Sequence, residues 1–170
     1  MRERKPARTV ALYGMLIALA FIFSYVEALI PVPVPVPGIK LGLANLVNVV
    51  GLYTVGAAGT AAVSLVRIVL VGFTFSNLFT MLYSLAGGAA SLAVMIPARK
   101  SGLLGTCGVS ILGGIFHNIG QLTVAACVTS TAGVFSYLPV LMAAGVVTGA
   151  VIGLLGGLVV ERIGHVARQL

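Results

Sequence analysis

The chain has 170 residues, of which 59% are hydrophobic and 8% are charged, and its mean hydropathy is +1.16. Soluble domains carry about 25% charged residues, so the composition excludes an ordinary soluble protein and predicts an integral membrane protein with a single domain, residues 1–170. The formal net charge is +7, but most Lys and Arg residues lie at the ends of apolar runs, which is typical of membrane orientation and argues against nucleic-acid binding.

Apolar stretches separated by prolines, glycines and polar clusters predict a bundle of six membrane helices. The first stretch follows a basic segment and is too long for the core of a signal peptide. Four alternating prolines from Pro31 to Pro37 then prevent a continuing helix and predict a stiff extracytoplasmic loop. Another outer loop is expected at the polar residues 129–136. The predicted helices span residues 9–30, 41–55, 57–75, 78–97, 104–128 and 138–160.

The second predicted helix is short for a crossing, which usually needs about 17–25 residues. A re-entrant segment is the alternative, but it would place Arg99 and Lys100 on the outer side. Six crossings instead put both termini and eight of the ten basic residues on one side. The positive-inside rule makes that side cytoplasmic.

Small residues recur on two of the predicted helices. On the sixth helix, glycines recur every fourth residue from Gly145 to Gly157, which favours close packing within the bundle. On the first helix, Ala11, Gly14 and Ala18 share one face, for which a partner-subunit contact and internal packing are equally open. The two cysteines, Cys107 and Cys127, would lie about 30 Å apart on one helix, so neither a disulfide nor a metal site is expected.

Polar side chains within the apolar helices are the candidates for ligand binding, because such groups face the bundle interior or a wet cavity. Counted from the helix ends, all of them fall between the outer surface and the midplane, which predicts a pocket open to the outside with an apolar floor. The predicted substrate-binding residues are Glu27, Lys40, Asn45, Asn48, Arg67, Asn77, His117, Asn118 and Gln121.

Each of these polar groups also has a purely structural interpretation. Arg67 and Glu27 could form an ion pair between helices, and His117 could be a bonded residue of the bundle. The paired asparagines, Asn45 and Asn48, could join helices by hydrogen bonds. Their common depth favours binding. Since Arg67 and Lys40 outnumber Glu27, the pocket should prefer a ligand with a carboxylate or a phosphate. Aromatic residues near the outer end are interpreted mainly as an interfacial belt.

The segments VEALIP and PGIKLGLANLV resemble the heptaprenyl diphosphate synthase component I family, also called Gx transporters. That family is similar in layout to S components, the substrate-binding subunits of energy-coupling factor (ECF) importers. The resemblance implies a subunit in the bacterial cytoplasmic membrane that captures a vitamin-like or anionic nutrient. Residues 31–40 would cap the pocket. Gly14 and Ala18 would contact a transmembrane coupling subunit, although the usual motif has Ala at both positions, and two cytoplasmic ATPases would supply the energy.

The synthase name can be compared with the residues themselves. Prenyl diphosphate synthases hold Mg²⁺ and diphosphate with aspartate clusters, whereas this sequence has no Asp and no Walker motif. We therefore expect neither prenyltransferase nor ATPase activity, and no catalytic residue, metal or cofactor in this chain. Two alternatives remain open: a non-catalytic membrane subunit linked to isoprenoid or quinone biosynthesis, and a stand-alone carrier using Glu27, Arg67 or His117 as a proton relay.

Overall fold

A computed structural model describes residues 6–30 and 42–169 of the chain. Within these ranges the protein contains α-helices and one 3-10 helix and no β-strand, which confirms the all-helical class. The helices are α1 (Pro6–Leu29), α2 (Leu43–Thr54), α3 (Gly56–Thr74), α4 (Leu78–Ser101), α5 (Thr106–Thr129) and α6 (Leu138–Gln169), with the 3-10 helix at Ala132–Tyr137. The proline-rich loop and Lys40 lie outside the described residues.

Five of the six described helices are long and apolar enough to cross a membrane, so the chain is a multi-pass membrane protein. The exception is α2, whose 12 residues span about 18 Å at 1.5 Å per residue, against a hydrocarbon core of about 30 Å. The crossing by α2 and the side of each terminus remain predictions.

Two predicted helix ends are wrong. Pro97 does not terminate α4, which continues to Ser101 and ends where Gly102 adopts a φ of +67°. The proline is exposed and lies near the helix end, so its missing N–H leaves only one carbonyl without a partner, on the exposed residue Ala93. Helix α6 continues past the predicted end at residue 160 to Gln169, because charge ends an apolar run without breaking a helix.

The helices pack as a closed ring in the order α1, α3, α4, α5, α6 and α2, and α2 also contacts α5. Buried side chains of α2 take part in both apolar clusters of the core. Val49 and Leu52 pack with residues of α4, α5 and α6, whereas Val47 packs with residues of α1 and α3. The shortest helix therefore joins the two halves of the bundle.

The glycines of α6 pack directly on α5, as predicted. A Cβ atom at Gly149 would lie 2.7 Å from the Cα of Ile111, and one at Gly153 would lie 2.6 Å from the Cα of Cys107. These distances are shorter than real Cβ contacts, so the glycines are what allows the backbones to approach. Cys107 and Cys127 are free thiols, in agreement with the prediction.

The small residues of α1 behave differently from those of α6. Ala11, Gly14 and Ala18 are all exposed, and a Cβ at Gly14 would meet no atom within 4 Å. Internal packing, one of the two alternatives for this face, is therefore wrong within the described part of the chain.

Candidate functional site

A cavity of about 150 Å³ lies between the helices and receives residues from all six of them. Its wall is formed near the C-terminal ends of α1 and α3 and near the N-terminal ends of α2 and α4. Since these ends meet at one level, successive helices from α1 to α4 run in opposite directions. The middle parts of α5 and α6 complete the wall.

Seven of the nine predicted substrate-binding residues line this cavity, although they come from four different helices. The depth of each residue along its helix thus correctly predicted that residues far apart in sequence share one cavity. The seven are Glu27, Asn45, Asn48, Arg67, His117, Asn118 and Gln121.

Asn77 is the predicted residue that the structure places elsewhere. It is the N-cap of α4, where its side-chain oxygen accepts hydrogen bonds from the Thr80 backbone N–H at 2.9 Å and from the Thr80 hydroxyl at 3.0 Å. An exposed helix start needs such an acceptor for its unpaired N–H groups. The polarity of Asn77 is explained by capping, and the residue does not contact the cavity.

Glu27 connects the end of α1 to the start of α2. Its carboxylate accepts a hydrogen bond from the backbone N–H of Gly42, the N-cap residue of α2, which has a φ of +77°. Negative charge is favourable at a helix N-terminus, and glycine tolerates the left-handed conformation. Within the described residues Glu27 forms no ion pair with Arg67, so the structural alternative of an interhelical ion pair is wrong.

Arg67 of α3 is the cationic group of the described cavity wall, and it is only 9% exposed. Its Nη1 donates one long hydrogen bond of 3.4 Å to the Ser24 hydroxyl, which in turn donates to the Ala20 carbonyl at 2.8 Å. Its Nε has no hydrogen-bond partner among the described residues. A buried charge without a counter-ion costs several kcal/mol, so this guanidinium is the strongest anion-binding group on the wall.

The asparagines are hydrogen-bonded, but not in one common way. Asn48 Nδ2 donates to Asn45 Oδ1 at 3.3 Å within α2, so this pair does not join two helices. Asn118 Nδ2 donates to the Leu141 carbonyl at 2.6 Å and joins α5 to α6, a link that the sequence did not predict. The Asn45 Nδ2 and the Asn118 Oδ1 form no hydrogen bond with the described residues.

His117 and Gln121 lie one above the other on α5 and face a glycine of α4. A Cβ atom at Gly87 would lie 2.9 Å from the His117 Cε1 and 2.9 Å from the Gln121 Cγ. The absence of a side chain at Gly87 therefore sets the position of both polar side chains on the cavity wall.

Several wall residues were missed from the sequence, because Ser and Thr are common in membrane helices and carry little signal by type. Phe75 is one of the outer aromatic residues, most of which were interpreted as an interfacial belt and the rest as rings that contact a ligand. It lines the cavity and packs edge-on against Phe21 and Tyr25, with ring centroids 5.5 and 5.4 Å away. The missed polar residues are Ser24, Ser76, Thr80, Ser84 and Thr148.

The cavity has an apolar floor, as predicted. Ile152 of α6 lines the cavity and also belongs to the buried cluster formed with Val49, Leu52, Met95 and Val109. These five residues are at most 2% exposed, so the polar wall ends on a close-packed core. The cavity is thus a pocket and not a pore through the described bundle.

The sequence matches the heptaprenyl diphosphate synthase component I family over residues 16–159. The chain belongs to this family. The match confirms the resemblance carried by the segments around Glu27 and Asn45. Comparison with curated proteins and with solved structures gave no match. In this family member, no group of three or more His, Cys, Asp or Glu side chains among the described residues could hold a metal ion.

Proposed function

We propose that this chain is the substrate-binding membrane subunit of an ECF-type importer and captures a small nutrient with an acidic group in its cavity. The observation that carries the proposal is Arg67, a buried cation on the cavity wall with one long hydrogen bond and no ion pair among the described residues. A carboxylate or phosphate in the cavity would supply the missing partner through charge-assisted hydrogen bonds.

The proposal includes a topology of six crossings with both termini in the cytoplasm of a bacterial cell. It is supported by the opposite directions of successive helices around the cavity and by the basic residues at the far end of the bundle. The cavity then opens to the outside, and its apolar floor separates it from the cytoplasm. Helix α2, with 12 residues, would be a short crossing.

The transport step would use partner chains, namely a transmembrane coupling subunit and two ATPases. The exposed face of Ala11, Gly14 and Ala18 supports this, because small residues let a partner helix approach closely. Co-purification from membranes tests it: Gly14→Leu and Ala18→Leu should lose the coupling subunit. The matched control is Ala62→Leu, on an exposed position of α3, which should keep it. Equal retention by all three variants would refute this interface.

A second candidate is a non-catalytic membrane subunit for isoprenoid or quinone biosynthesis, which the family's description favours. It predicts that the chain co-purifies with a soluble prenyl synthase and binds no small nutrient. A stand-alone proton-coupled carrier would instead give pH-driven uptake in liposomes without any ATPase. The apolar floor argues against the carrier, because an inward-open site needs polar groups to line it.

Native mass spectrometry of the detergent-purified protein tests substrate binding. We expect the purified protein to retain a small molecule with an acidic group. The molecule should be released only when the protein unfolds as the detergent micelle is disrupted. The proposal would be contradicted by a preparation that retains only phospholipid, if substitutions of cavity residues do not change the amount retained.

A further inference from the structure

Two opposite charges line the same cavity without pairing with each other. Glu27 lies at the end of α1 and Arg67 on α3, and no ion pair joins them within the described residues. Opposite charges in a poorly solvated cavity attract strongly and normally pair when nothing else holds them. Each of these two is held elsewhere.

The structure shows what keeps the two groups apart. The Arg67 guanidinium is held at Ser24, and the Glu27 carboxylate is held at the Gly42 backbone N–H. Ser24 and Glu27 are three positions apart on α1, a rise of about 4.5 Å along the helix. Ser24, which holds Arg67, and Glu27 thus lie at successive levels of α1 on the cavity wall.

Within the described part of the chain, the charges of the wall balance. Among the described residues that line the cavity, Arg67 contributes +1 and Glu27 contributes −1, so their formal sum is zero. A diphosphate would bring two or more negative charges to one guanidinium with a carboxylate on the same wall, and most of that charge would be left without a partner. A molecule with one negative and one positive group satisfies both.

We propose that the cavity takes a small zwitterion, with its carboxylate against Arg67 and its protonated nitrogen against Glu27. This inference rests on the proposed function, that the cavity binds a substrate. The Asn45 Nδ2 and the Asn118 Oδ1, which form no hydrogen bond with the described residues, add a donor and an acceptor for the same polar head.

The size of the cavity limits the rest of the ligand. A cavity of about 150 Å³ in an unrelated engineered protein holds one benzene molecule, and the volume here is similar. Val71, Phe75 and Ile152 give the wall an apolar part for a body of that size. An amino acid with a small aliphatic side chain fits these limits, whereas a prenyl chain exceeds the described cavity.

The test compares matched ligands that differ in one charge. Binding of the aliphatic and aromatic amino acids to the purified full chain would be measured by thermal stabilisation and by calorimetric titration. For the amino acid that binds best, its deaminated acid and its decarboxylated amine would be measured in the same way. Isopentenyl diphosphate serves as the multiply charged anion. We expect the amino acid to bind at least about tenfold more tightly than either single-charge analogue, since each analogue leaves one buried charge without a partner.

Two variants test which charged group of the ligand Glu27 and Arg67 each bind. Glu27→Gln keeps an oxygen that accepts the Gly42 N–H but removes the negative charge, so the preference should change from the amino acid to its deaminated acid. Arg67→Gln should lose both of these ligands. Asn77→Ala, outside the cavity, should keep the wild-type order.

The outcomes separate this inference from the function on which it rests. If no amino acid stabilises the protein, or if the deaminated acid binds equally well and Glu27→Gln changes nothing, the zwitterion is wrong. Tighter, Arg67-dependent binding of isopentenyl diphosphate would also overturn it, while leaving substrate binding in place. If native mass spectrometry finds no bound small molecule and none of the ligands binds, the proposed function fails as well.

Discussion

Gly87→Ala should weaken ligand binding through two side chains of the cavity wall. The added Cβ would lie 2.9 Å from both the His117 Cε1 and the Gln121 Cγ, whereas ordinary contact begins at 3.4 Å. Both side chains must therefore move by about half an ångström, away from α4. Since a misplacement of about 1 Å can cost a factor of about 100, we expect affinity to fall on the order of tenfold.

The adjacent residue offers a matched control. A Cβ at Gly88 would lie 3.5 Å from the Ile68 Cδ1 and 3.7 Å from the Ser64 Oγ, both ordinary contacts away from the cavity wall. Gly88→Ala should stabilise α4 by about 0.5–1 kcal/mol through its better helix propensity. For Gly87→Ala the same gain is offset by overpacking of about 1–3 kcal/mol, leaving a net loss of roughly 0–2.5 kcal/mol.

Thermal unfolding in detergent and the occupancy of the retained small molecule in native mass spectra measure the two effects separately. Gly88→Ala should raise the Tm by about 1–4 °C and keep the occupancy of the wild type. Gly87→Ala should lose occupancy even where most of the protein is folded. The reasoning is wrong if Gly87→Ala retains the molecule as well as Gly88→Ala does, or if both lose it equally.

Three further predictions concern stability and partners. Gly114→Ala places a Cβ 2.5 Å from the Gly145 carbonyl oxygen and should destabilise the bundle by about 1–3 kcal/mol in thermal unfolding, whereas Gly14→Ala, in open space, should not. Asn77→Ala removes the α4 cap and should lower the free energy of unfolding by about 1 kcal/mol without changing ligand occupancy. A loss of occupancy would show that Asn77 belongs to the binding site. Gly14→Leu should leave the Tm unchanged while abolishing co-purification of the coupling subunit, and a large loss of Tm would show that the face is internal.

The bundle could be predicted from the sequence because lipid imposes a simple rule on apolar segments. Helices are the structures that satisfy their own backbone in hydrocarbon, so apolar runs gave the correct number of helices and most ends within a few residues. The errors at Pro97 and after residue 160 have different causes. A proline near a helix end costs only one backbone hydrogen bond, so α4 continues past it. At residue 160 an apolar run ends, but the backbone continues as a helix to Gln169.

The cavity could be predicted in outline but not in detail. Strongly polar residues in lipid must face inward, and this rule correctly located Arg67, Asn48 and His117 on one wall. It could not tell a cap from a ligand group, as Asn77 shows. It also could not show that Glu27 binds the Gly42 backbone instead of Arg67, because that choice depends on where α2 begins in space.

The weakly polar residues of the wall could not be predicted from the sequence, for a different reason. Serine and threonine satisfy their hydroxyls on the backbone of their own helix, so they are tolerated on any face and show no preference for a cavity. Ser24 was therefore not recognisable as the residue that holds Arg67.

The most direct test of the central claim is the occupancy of the retained small molecule in Arg67→Gln, compared with wild type and with Asn77→Ala as a variant outside the cavity. If the buried guanidinium binds the acidic group of a substrate, Arg67→Gln should lose the molecule by about tenfold or more while its helical circular dichroism is kept. Asn77→Ala should retain it. Equal occupancy in wild type and Arg67→Gln would show that the cavity around Arg67 does not bind the substrate.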